Sequence, residues 1–187
     1  MSRHEQHPRL AWALTGSGHF FTECMDMMHE IAELDLFVSK AATEVVRMYK
    51  HDLAKLPETT RVYRDSTASA APVGGFYHGA YHTLVLAPAT SNTVAKCVAG
   101  ISDNLATNVF AQAGKCRVPI IVFACDTGPE LESMAPGGGM VKVYPRKIDL
   151  DNVEKIKAFE ATTVVDSVAA LRAALSERMS CLSASSS

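Results

Sequence analysis

No run of apolar residues in this chain approaches the length that a membrane-spanning helix needs, and neither sign of charge prevails. Its 18 Lys and Arg residues stand against 20 Asp and Glu, a formal net charge of −2, which argues against a broad cationic surface for nucleic acid. Paired-cysteine spacings are missing too. Cys24, Cys97, Cys116, Cys125 and Cys181 never form a CxxC. An odd number of scattered thiols points to reduced, mostly buried cysteines rather than a disulfide framework or a zinc site. The polar opening MSRHEQHPR does not read as an export signal, so the expected compartment is cytoplasmic.

Familiar catalytic signatures are absent as well. TGSG at 15–18 has Phe21 where a dinucleotide fingerprint has its third glycine, and it lacks the Lys-Ser/Thr ending of a phosphate-binding loop. Ser17 does not sit in a GxSxG elbow. His78 and His82 are four residues apart, but Gly79 and the adjoining strand oppose a helix there, so no metal site is expected. Met25, Met27 and Met28 most simply pack a helix.

What is present is a core. The chain is 48% hydrophobic over 187 residues, enough for one compact domain. We place that domain at 10–175, between a flexible segment 1–9 and a frayed end 176–187. Strands are expected at 10–14, 34–38, 62–63, 82–86, 118–124, 141–144 and 162–165. Helices are expected at 19–31, 43–51, 92–100, 103–113, 151–159 and 167–175. The Ser-, Ala-, Pro- and Gly-rich stretch 66–79 reads as a loop near a binding site, and PGGG at 136–139 as a flexible connector. Short apolar strands alternating with helices predict an α/β domain, a single doubly wound parallel sheet with helices on both faces.

In such sheets ligands bind beyond the C-terminal strand ends, at a switch in strand order. Three strand ends become interesting together. Gly16 and Ser17 follow the first strand in a turn that lets a ligand approach the backbone. Ser39 follows the second. LAPATSNT follows the fourth, where Pro88 is expected to stop the strand and Thr90, Ser91, Asn92 and Thr93 gather where the next helix begins. Each alone could be a helix cap. Three anion-friendly ends in one sheet favour a phosphate-bearing ligand. Asp103 and Asn104 form another polar pair at a helix start. Trp12 and the aromatic pair Phe76 and Tyr77 could border a planar ligand or an interface.

TGSGHF, Ser39 and APATSNTVAKCVAGISDNLATN together resemble the flavoproteins that include the homo-oligomeric flavin-containing cysteine decarboxylases and phosphopantothenoylcysteine decarboxylase. PRKIDLDNVEKIKAFEATTVV is similar to a narrower branch, the archaeoflavoproteins and the flavin-dependent dihydromethanopterin reductases. The resemblance implies a Rossmann-like, flavodoxin-like fold and FMN as cofactor. It implies Gly16, Ser17 and Ser39 near the phosphate or ribityl chain, and Thr90, Ser91, Asn92 and Thr93 around phosphate and ring. Asp103, Asn104 and Leu105 are implied close to the ring or a neighbouring subunit. It further implies a homotrimer or dodecamer. The decarboxylases carry a catalytic His in a His-Ile-Glu/Asp-Leu stretch, and counting back from His82 puts Gly74 there, so decarboxylation is the weaker implication. The leading one is reduction of dihydromethanopterin, or a similar dihydropterin, by a protein whose redox donor is a ferredoxin or a flavin reductase. The alternative is an electron carrier accepting electrons from ferredoxin.

Overall fold

The computed structural model describes residues 8–65, 70–135 and 137–185. In chain order the elements are β1 (Arg9–Leu14), α1 (Phe21–His29), β2 (Leu34–Val38), α2 (Lys40–Met48), β3 (Arg61–Arg64), α3 (Ala70–Val73), β4 (Tyr81–Ala89), α4 (Ser91–Val98), α5 (Leu105–Lys115), β5 (Ile120–Ala124), β6 (Leu131–Met134), β7 (Met140–Val143), α6 (Lys147–Lys157), β8 (Thr162–Val165) and α7 (Val168–Ser185). Six strands form one sheet in the order β3-β2-β1-β4-β5-β8, and every pairing in it is parallel. The sheet is a doubly wound, Rossmann-type flavodoxin-like one.

Side-chain alternation along the strands builds a core on each face. Leu10, Trp12 and Leu14 of β1 pack with α1, α2 and α7, whereas Ala11 and Ala13 face α4, α5 and α6 across the sheet. Trp12 is fully buried and donates from Nε1 to the Ala87 carbonyl at 2.7 Å. It belongs to the core and lines neither of the clefts described below. Phe76 is likewise buried against Phe37 and Tyr81, whereas Tyr77 is exposed and donates to Gln112.

Several boundaries differ from the expected ones, each for a local reason. Helix α2 begins at Lys40 because the Ser39 hydroxyl accepts from the Ala42 N–H at 3.1 Å. Helix α6 begins at Lys147 because Asp149 reaches back to the Arg146 N–H at 2.9 Å. Pro88 does not stop β4. The strand runs through it to Ala89, with a cis Ala87–Pro88 bond and a register shift against β5 between Leu86 and Ala89.

The 131–143 region is an antiparallel hairpin, β6–β7, separate from the main sheet. Gly138 and Gly139 turn it at φ 84° and 94°, a backbone region that favours glycine. Of the stretch read as a loop, 66–69 lie outside the described residues. The rest forms α3 and a 3-10 turn over Gly74–His78. Arg9, assigned to a flexible segment, is the buried first residue of β1. Helix α7 continues through Ser185, past the point where fraying was expected. Among the described residues no helix is long and apolar enough to cross a membrane.

Candidate functional site

Strand order reverses between β1 and β4, with β2 and β3 on one side and β5 and β8 on the other. The loops after β1 and β4 therefore leave the sheet side by side, and Thr15 ties them together. Its buried hydroxyl donates to the Pro88 carbonyl at 2.5 Å and accepts from the Thr90 N–H at 3.2 Å. Thr90 in turn caps α4, its Oγ1 accepting from the Thr93 N–H at 3.2 Å. Ser39 does the same for α2. The earliest N–H groups of a helix have no intrahelical partner, and a helix start of this kind attracts anions.

A polar cleft of about 450 Å³ opens between these two helix starts. It brings together Gly16, Ser39, Thr90, Asn92, Thr93, Asp103 and Asn104. Lys40 supplies a cation there, and Asp103 is ion-paired to Lys96 at 2.7 Å. That pairing holds the Asp103 carboxyl below the usual carboxylate range. Asn104 also caps α5, accepting from the Thr107 N–H at 3.1 Å.

A second cleft of about 550 Å³ shares Gly16, Ala41 and Thr90 with the first and contains Ser17. One wall is Val45 and Met48 of α2, and the other is Leu131, Met134 and Val141 of the hairpin. Tyr49 latches the hairpin in place, its hydroxyl donating to the Met134 carbonyl at 3.0 Å. The TGSG glycines answer to this packing. A Cβ on Gly16 would come within 2.5 Å of the Ala41 Cβ, and one on Gly18 within 2.2 Å of the Tyr49 hydroxyl. Glycine here lets α2 and its C-cap close against the loop.

The larger cleft also holds Cys125, Asp126 and His19. Burial pushes the Cys125 thiol up to about 12, so it stays neutral and donates to Ser17 Oγ at 3.1 Å. Ser17 Oγ donates onward to the His19 carbonyl at 3.2 Å. Burial also raises the Asp126 carboxyl, with the Asp149 charge adding to the shift, and it lowers the His19 imidazole. The Ser91 hydroxyl donates to Asp126 Oδ2, so Ser91 reaches the site through that carboxylate.

Ser91 and Leu105 are the two candidates that line neither cleft, and Leu105 is fully buried in the core. It anchors the first turn of α5 beneath the sheet, so its apolar side chain is committed to packing. His78 is exposed at the end of the 3-10 turn and lines neither cleft. Sequence reasoning missed Asp126, Tyr49 and strand β6 of the hairpin, whereas β7 was expected as a strand at 141–144. Asp126 had a signal, since it follows the apolar strand β5 as Ser39 follows β2. The contact of Tyr49 with the hairpin, across 85 residues of chain, had none.

Comparison with known proteins finds that a family model described as Flavoprotein matches residues 1–183. An uncharacterized protein of Methanocaldococcus jannaschii is 34% identical over 166 residues, covering 84% of this chain and 89% of that protein. The dihydromethanopterin reductase (acceptor) of Methanosarcina mazei is 29% identical over 231 residues, covering 87% of this chain and 97% of that protein. A crystal structure of Burkholderia xenovorans DmrB in complex with FMN, described as a cubic protein cage for redox transfer, superposes with a TM-score of 0.87. It has 50% sequence identity and covers 96% of this chain and 99% of that one.

Proposed function

The chain belongs to the Flavoprotein family, and from that premise we propose that it is an FMN-dependent oxidoreductase that reduces a dihydropterin of the dihydromethanopterin type to its tetrahydro form. The observation that carries the reading is the joined pair of clefts, one at two capped helix starts and one with apolar walls. Each lies within the roughly 300–1,000 Å³ of small-molecule and cofactor sites. Neither α2 nor α4 has an acidic residue in its first turn, which suits a phosphate. DmrB, at half sequence identity, was crystallised with FMN, and the reductase of Methanosarcina mazei lends the substrate class.

Ser39, Lys40, Thr90, Asn92 and Thr93 would hold the phosphate end. Val45, Met48, Met134 and Val141 would flank the ring and keep water from it. When bound, FMN supplies the redox chemistry, and the protein supplies orientation and electrostatics. No histidine of the described 70–79 stretch lines either cleft, so nothing there supports decarboxylation. A homo-oligomer fits the apolar side chains left exposed at Ile101, Met140, Tyr144 and Ile148.

The test is anaerobic. Reduced protein mixed with a stoichiometric dihydropterin should reoxidise and yield the tetrahydropterin. Flavin that stays reduced would remove the reductase reading, and rapid oxidation by a ferredoxin alone would replace it with electron carriage.

A further inference from the structure

Reducing a C=N bond requires a proton as well as a hydride, and the clefts hold few groups able to keep one. Glu44 lines the larger cleft but is exposed on α2. Asp126 is half-buried at the C-terminal end of β5, in the same cleft as His19. Its Oδ2 accepts from the Ser91 hydroxyl at the start of α4, which fixes the carboxyl group against the site.

We propose that Asp126 is the proton donor of this cleft: its carboxyl, protonated at Oδ1, gives a proton to the nitrogen of a bound C=N acceptor. The inference rests on the flavin reading above. Reduced FMN, when bound, would supply the hydride to the acceptor carbon and be oxidised in doing so, and the nitrogen takes the proton from Asp126. The double bond becomes a single bond bearing C–H and N–H. Asp126 is left as a carboxylate and regains its proton from water by way of the His19 imidazole.

The surrounding charges are consistent with that role. The Asp149 charge on α6 raises the Asp126 carboxyl and is itself ion-paired to Arg146 at 2.7 Å. His19 and the Ser91 N–H pull the other way, and Glu23 acts in turn on His19. The neighbouring Cys125 thiol is neutral. Burial outweighs the opposing partners, so Asp126 keeps its proton to higher pH than an exposed aspartate does.

The test uses the FMN-loaded wild type with Asp126→Asn and Asp126→Glu. Reduced protein is mixed anaerobically with a dihydropterin and the reoxidation rate is followed against pH. The wild-type rate should fall as pH rises through the Asp126 titration. The Asn variant should be about 10²–10⁴-fold slower and lack that limb, and Glu should restore it. An Asn variant with the wild-type rate and profile overturns the proposal. If dihydropterin leaves wild-type flavin reduced, the substrate reading fails instead. Asp126 is then judged by the flavin midpoint potential, whose pH dependence must differ between wild type and the Asn variant. Identical pH dependence overturns the role.

Discussion

Thr90 and Asn92 sit on the same turn and divide the work. Thr90 satisfies the backbone of α4, whereas Asn92 is exposed at the polar cleft. Thr90→Ala should therefore lower the stability of the flavin-free protein by about 0.5–2 kcal/mol. Asn92→Ala should leave the apo melting curve in place and weaken FMN binding. Chemical denaturation and fluorescence titration of both variants separate the two roles. The sequence showed a polar cluster at the end of a strand, but which of its residues caps the helix depends on where α4 starts.

Asp35 makes a different kind of demand. It is buried in β2, accepts from Arg9 Nε at 2.5 Å and from the Tyr81 hydroxyl at 2.9 Å. Asp35→Ala would leave Arg9 its pair with Glu33 but take the acceptor from Arg9 Nε and the Tyr81 hydroxyl, at a cost of about 1–3 kcal/mol, measurable by urea unfolding. None of this was legible in the sequence, because the partners lie 26 and 46 residues apart.

At the scale of elements, the central strands were legible because burial on both faces gives them unbroken apolar runs, as in LAWAL and IIVFA. Of the hairpin only β7 was legible, as the strand expected at 141–144. β6 and β7 are short, pair with each other and stay largely exposed, so nothing marked β6 or the pairing. The hairpin's position depends on Tyr49, and Tyr49→Phe removes the bond to Met134. We expect faster hydrogen exchange across 131–143 in that variant, with the protection of β1 and β4 unchanged.

Strand β4 has a pH-sensitive end. Burial, with the Arg178 charge, lowers the His82 imidazole from 6.5 to about 4. Between those values the unfolded chain binds more protons than the folded one, so stability falls as pH falls through that window. His82→Gln should flatten the dependence there in denaturation curves taken at stepped pH.

For the whole molecule, strand order matters more than any motif. Parallel β1 and β4 at the switch point bring residues 15–18, 39 and 90–93 to one place, although they are distant in sequence. The strand-end rule therefore anticipated most of the residues that gather at the polar cleft. It could not anticipate the apolar cleft, because one of its walls comes from a hairpin outside the sheet. Nor could it distinguish glycines that make room for a ligand from glycines that make room for Ala41 and Tyr49.

We propose that the two joined clefts form one flavin mononucleotide site, and fluorescence titration of flavin-free protein with FMN is its test. Saturable binding of one FMN per chain is expected, weakened when Gly16→Val drives the first loop away from Ala41. No change in FMN fluorescence with the folded wild-type protein, at any FMN concentration, would contradict it.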